Sequence, residues 1–192
     1  SSTSTAGRIY FGDSGDDDIG QIRYNHDDNS MNFKVNALAD AMKIHSGGEV
    51  TTPLNPAFRV VQSTAADFAN NHTAFNTGIT EQYDVNADLA SNGSFTAPVT
   101  GTYLFSIGIM DANSTANMEF AMQFVTSNRE YKWGIRNKFV DNTTGVTSMQ
   151  CKGHVLADMD ANDTAFVKVG AGGTITIAAN DEHSYYTGVL LK

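Results

Sequence analysis

Cysteine is nearly absent: Cys151 is the only one in 192 residues. One thiol excludes an internal disulfide, so a chain of this kind must gain stability by other means, oligomerisation first among them. Proline is scarce at three residues, and tryptophan occurs once, at Trp133. Charged residues make up only 17%, and the basic ones are outnumbered, 12 Lys and Arg against 21 Asp and Glu. The resulting net charge of -9 repels phosphates, which argues against nucleic acid and anionic lipid as partners. No apolar run approaches the length of a membrane span, and no secretory signal precedes the first strand-like segment. The chain opens at Ser1 without Met, which leaves open whether a portion precedes it.

What is present is hydrophobic content of 41%, enough for a folded core, arranged with a period of two. Over 102–109, Tyr103, Phe105, Ile107 and Ile109 fall on one side and Thr102, Ser106 and Gly108 on the other. Over 118–125, Met118, Phe120, Met122 and Phe124 alternate with Glu119, Ala121 and Gln123. The stretches 56–62, 93–99, 146–157, 164–169, 174–178 and 184–191 also read as strands, separated by Asn, Asp and Gly clusters. No segment carries a helical stripe. Many short strands with turns between them predict an all-β sandwich or barrel.

The first fifty residues differ in texture. Short strands are expected at Arg8–Phe11, Gln21–Asn25, Ser30–Asn36 and Met42–Ser46, around the acidic loops Gly12–Asp18 and His26–Asn29. So small a piece exposes too much apolar surface to fold well alone, so it should pack on copies of itself or on the following domain. Thr51–Pro56 holds two of the three prolines and reads as a linker. The expected division is a β-rich stem over 1–52 and a head over 53–192.

Two segments carry a family likeness. Phe95-Thr-Ala-Pro98-Val-Thr-Gly101-Thr-Tyr103-Leu-Phe105-Ser resembles the signature of the complement C1q-like globular head, which is related to the tumour necrosis factor jelly rolls. Ser184-Tyr-Tyr186-Thr-Gly188-Val-Leu190-Leu191 resembles that family's last strand. Pro56-Ala57-Phe58, Phe75-Asn-Thr77 and Tyr83-Asp84 follow the same pattern in the same order. At Leu156–Asp163 the chain departs from the family's Leu-x-x-Gly-Asp turn, which puts the local geometry there in question. The resemblance implies an antiparallel jelly-roll sandwich whose inner sheet faces a threefold axis. The last strand agrees, since a strand apolar on both sides must be covered on both. Tyr186 and Leu190 would enter the core, and Tyr185, Val189 and Leu191 would meet the other subunits of a homotrimer.

The N-terminal part resembles a segment of tailed-phage tail-fibre proteins. The matching residues are Ile9-Tyr-Phe-Gly-Asp13, Asp18-Ile-Gly-Gln-Ile22, Asn29-Ser-Met31 with Phe33, and Met42-Lys-Ile44 followed by Ser46-Gly-Gly-Glu-Val50. This likeness implies an upstream fibre shaft and a place in the virion, facing outward. A secreted cellular module of the same fold is the alternative location.

For chemistry, no Gly-x-Ser-x-Gly, Cys–His pair or Gly-rich phosphate loop is present, and Cys151 reads as a buried, inert thiol. No enzymatic activity is expected and no cofactor is required. Asp13, Asp16, Asp17 and Asp18 form an acidic run that could hold calcium or serve only as a solvated edge guard. Asp158, Asp160, Asn162 and Asp163 echo the start of a calcium loop but lack its glycine and closing glutamate, and read as a turn. The five histidines have no metal-ligand spacing. Five Asn-x-Ser/Thr triplets, starting at Asn71, Asn92, Asn113, Asn142 and Asn162, arise readily by chance in a chain this rich in Asn and Thr. Arg129, Tyr131, Trp133 and Arg136 make the one dense aromatic–basic cluster, read either as a ligand-stacking site or as strand residues turned into the core. Loops 63–74, 111–117 and 140–145 have the composition of adaptable contact loops.

The expected function is a trimeric, non-enzymatic receptor-binding tip of a phage tail fibre, recognising a host-surface glycan or protein, without nucleic acid binding or membrane insertion. The alternatives are a purely structural trimerisation cap and a secreted C1q-like lectin or adhesion module.

Overall fold

A computed structural model describes residues 5–36, 39–112, 120–135, 148–171, 173–180 and 182–192. The chain divides into two compact units, Ser1–Asn55 and Pro56–Lys192. The first is a single antiparallel sheet in chain order: β1 (Ala6–Phe11), β2 (Gly20–Asn25), β3 (Ser30–Lys34), β4 (Asp40–Ile44) and β5 (Val50–Thr51). The hairpin between β2 and β3 closes through Asn29, whose φ of 52° suits the left-handed conformation that Asn tolerates.

The second unit contains β6 (Ala57–Gln62), β7 (Ala66–Phe68), β8 (His72–Thr73), β9 (Ile79–Asp84), β10 (Phe95–Thr96) and β11 (Gly101–Asp111). It continues with β12 (Phe120–Thr126), β13 (Glu130–Ile135), β14 (Met149–Met159), β15 (Thr164–Ala171), β16 (Ile175–Ile177) and β17 (Tyr185–Leu190). These make two antiparallel sheets. The larger runs β7-β16-β11-β17-β6-β9, with β14 paired to β11, and the smaller runs β10-β15-β12-β13, with β8 paired to β15. Strands β7, β8 and β9 are too short or too polar for alternation to reveal, and β7 and β8 occupy the stretch expected as a 63–74 contact loop.

Alternation decides what fills the space between the sheets. From the larger sheet come Phe58, Tyr103, Phe105, Ile107, Ile109 and Tyr186, and from the smaller Phe95, Phe120, Met122, Phe124, Val167 and Val169, all buried. The aromatic rings interlock across the gap: Phe105 lies 4.6 Å from Phe124, Phe58 stacks 5.1 Å from Phe95, and Tyr186 meets Phe124 edge-on at 6.1 Å. Buried hydroxyls find carbonyls, Tyr103 donating to Val99 at 2.7 Å and Tyr186 to Ala165 at 3.4 Å. Burial drives the Tyr186 phenol well above its ordinary value, so it stays a neutral donor. The fold is therefore the all-β jelly roll that the sequence predicts.

The departure at 156–163 resolves as a closed turn between β14 and β15. Asn162 takes φ 74°, a left-handed conformation that Asn tolerates, and its amide donates to the Ala97 carbonyl at 2.7 Å. The Asp163 carboxylate accepts from the Asp160 amide and the Asn128 side chain, at 2.9 and 2.7 Å, which gives it a structural role. Phe105 contacts rings from both sheets, so Phe105→Ala should cost about 3–5 kcal/mol, read as a lower denaturation midpoint with unchanged slope.

Candidate functional site

The larger sheet buries one face and turns the other away from the core. Register places four side chains in one row across that outer face: Leu156 on β14, Leu104 on β11, Val189 on β17 and Ala57 on β6. Leu156 is 59% exposed and Leu191, just beyond β17, is 52% exposed, so this end of the face is an open apolar surface. The next row changes character: His154, Ser106, Thr187, Arg59 and Tyr83 lie side by side. The third row holds Lys152, Gly108, Tyr185 and Val61.

Gly108 explains the pose of Tyr185. A Cβ at 108 would stand 2.7 Å from the Tyr185 ring and 2.8 Å from the His183 carbonyl, so only glycine lets the ring lie across β11. There the Arg59 guanidinium sits 4.8 Å from the ring centre and the Lys152 ammonium 5.9 Å, both within cation–π range. Arg59 also donates to Gln82 at 2.7 Å. The three residues expected at a subunit interface, Tyr185, Val189 and Leu191, thus do share this outer face. It is apolar only at the Leu156–Val189 end, and cationic and aromatic toward its middle.

The aromatic–basic cluster does not form one surface. Tyr131 and Trp133 lie opposite Phe124 and Met122 in the β12–β13 pairing and pack half-buried against the core. Trp133 rests on Gly153 so closely that a Cβ there would meet its ring at 2.7 Å. Arg129 is exposed in the turn between β12 and β13, where its amide and carbonyl both bond Thr126. Arg136 lies outside the described residues, as do positions 113–117 and 140–145 of the expected contact loops.

The acidic run at the first loop folds on itself. One oxygen of Asp13 accepts from the amides of Gly15 and Asp16, and Asp16 accepts from the Asp18 amide. Asp18 accepts from the Gln21 side chain. Among the described residues no three His, Cys, Asp or Glu side chains converge as metal ligands, and Asp17 makes no exception. His72 and His154 lie on β8 and β14, and His26, His45 and His183 lie in three different connections. Cys151 is buried and desolvation pushes its thiol up, which suits an inert packing role.

One titratable pair went unnoticed in the sequence. Asp84 caps the following loop by accepting from the amides of Asp88 and Leu89, at 3.1 and 2.8 Å. Burial, with the Asp84 charge second, raises the Asp88 carboxyl, and one of its oxygens is buried without a partner.

A C1q domain model matches residues 57–191. The chain belongs to the C1q-domain family. The globular domain of zebrafish complement 1qA protein is similar in fold, with 14% identity over 72% of this chain and 98% of that one, at a TM-score of 0.55. Eiger, a tumour necrosis factor from S. frugiperda, shares 14% identity over 72% of this chain and 94% of its own, at a TM-score of 0.52. No curated protein sequence matches. C1q domains are typically non-enzymatic binding modules. No helix among the described residues is long and apolar enough to cross a membrane.

The sign of the Asp88 effect is fixed by its raised value. The folded state binds the proton more tightly than the unfolded, so stability falls as pH rises from 3.8 through the folded value, and the penalty is complete above it. Asp88→Asn should therefore raise stability at neutral pH and make no difference well below pH 3.8, checked by melts across that range.

Proposed function

We propose that this chain is the trimeric, non-enzymatic receptor-binding tip of a phage tail fibre. The observation that carries the reading is the apolar row Leu156–Leu104–Val189 on the face of the larger sheet that the core does not use. Threefold packing of that face would remove exposed leucines from water and cover the second side of β17. The C1q family membership supports a trimeric adhesion or receptor-binding module. The fibre assignment rests on the likeness of residues 9–50 to tail-fibre segments, which implies a shaft upstream and a location on the virion.

Recognition of a host-surface glycan or protein falls to the C1q head, where three copies of a weak site give avidity without any new contact. A secreted C1q-like lectin or adhesion module would use the same surface, and a structural cap would use only the trimer contact.

The test is binding of the isolated chain to intact host bacteria. Leu156→Asp alters an exposed side chain, so the monomer fold should survive with an unchanged circular dichroism spectrum, while the trimer contact is lost. Cell binding should then weaken by at least about tenfold through lost avidity. Retained binding in that variant would detach recognition from trimerisation. Failure of the unaltered chain to bind any bacterial surface, with binding to animal glycans instead, would favour the secreted module.

A further inference from the structure

A pocket of about 350 Å³ opens at the margin of the larger sheet, where β6 and β9 pair and the residues before β17 lie against them. That volume falls within the range of small-ligand sites, about 300–1,000 Å³. Ser63, Thr80, Gln82 and Asn180 line it with hydroxyls and amides, Val61 and Ala179 add small apolar surface, and Gln62 completes the wall. None of these side chains is charged.

The polar groups have a fixed hydrogen-bonding sense. The β6–β9 register slips between Arg59 and Val60, which leaves Gln82 as the extra residue of a bulge. The Gln82 oxygen accepts from Arg59 Nε at 2.7 Å, so its amide nitrogen is left as a donor. Arg59 is itself held over the Tyr185 ring, which makes it a positioning residue for that amide. Asn180 is set in the same way, its oxygen accepting from the Glu182 amide at 2.9 Å. The hydroxyls run in one direction. Thr80 donates to Ser63 at 2.8 Å and Ser63 to the Gly78 carbonyl at 3.2 Å, which leaves the Thr80 oxygen as an acceptor. Gln62 is fully buried, and its nitrogen donates to the Thr64 and Thr77 carbonyls, each at 2.8 Å. Its oxygen is buried without a partner, an unmet acceptor in a residue of the pocket wall.

We propose that this pocket binds one neutral sugar ring of a surface glycan. The inference rests on the glycan-or-protein recognition proposed above and names both the ligand class and its place on the head. A sugar ring carries adjacent hydroxyls, each able to donate and to accept. The wall meets them with amide donors from Gln82 and Asn180 and acceptor oxygens from Thr80 and Gln62. An uncharged lining gives no counter-charge to a sulfated or carboxylated sugar. It also lacks the large desolvated apolar or charged socket that an anchoring protein side chain fills. The pocket sits on β6 and β9, across β17 and β11 from β14 and Leu156, so sugar binding and the apolar contact use separate parts of the sheet.

The experiment titrates the full chain with the methyl glycosides of glucose, galactose, mannose, fucose, N-acetylglucosamine and N-acetylgalactosamine, followed by saturation-transfer NMR. At least one of them should bind. Gln82→Glu keeps the shape and the bond from Arg59 but has no donor, and Thr80→Val removes the acceptor; both positions are exposed, so mass and circular dichroism should not change. Each should weaken the glycoside at least about fivefold. Gln123→Glu, the same change of charge on β12 of the other sheet, should bind like the unaltered chain. No binding of any of the six, or binding that Gln82→Glu and Thr80→Val leave unchanged, overturns the pocket. Attachment to intact host bacteria separates this from the wider reading. Attachment that both variants retain in full overturns the pocket and leaves receptor recognition standing, whereas an unaltered chain that attaches to no cells overturns recognition itself.

Discussion

The contact between two aromatic layers holds the C1q unit together. Phe58, Phe105 and Tyr186 on one sheet meet Phe95 and Phe124 on the other at ring separations of 4.6 to 6.1 Å. With no disulfide available from a single cysteine, that contact is what fixes the two sheets face to face. It also decides which face of each strand is left over. Because Phe105, Tyr103 and Tyr186 must point inward, Leu104, Thr187 and Val189 must point outward, and the outer face is the remainder of the core's own alternation.

The two units solve the burial problem differently. The C1q unit covers one face of its larger sheet internally and leaves the other with an apolar end and a cationic, aromatic middle. The N-terminal sheet sets two ion pairs on its polar face, where Arg23 Nε and Asp40 Oδ1 stay buried without a partner, and places its apolar side chains in rows on the other. The apolar end of the C1q unit's outer face, with Leu156 and Leu191 exposed, is of the kind that symmetric assembly removes from water.

Much of this was legible in the sequence, for reasons that differ by element. Strands such as β11 and β12 alternate so regularly that their inward faces can be read directly, whereas the last strand is apolar on both sides, so period alone does not say which side of it Tyr186 shares with the core. Strands β7 and β8 were not legible, because two or three residues cannot show a period and tertiary pairing alone makes them strands. Tyr131 and Trp133 were readable only as a choice, since a ring on a strand looks the same whether it faces ligand or core; the Met122 and Phe124 positions opposite them decide it. The cations over Tyr185 were invisible because Arg59, Lys152 and Gly108 lie far apart in sequence and meet only through register. The Asp84–Asp88 cap was hidden for another reason: adjacent acids in a loop look solvated until burial of one of them is seen.

The most direct measurement of the central claim is the solution mass of the unaltered chain by light scattering, with and without a chelator. The account predicts a particle near three times 20.6 kDa whose mass the chelator leaves unchanged, because apolar faces hold it together. A particle of 20.6 kDa would contradict it, and a trimer that falls apart on chelation would transfer the assembly from those faces to a bound cation.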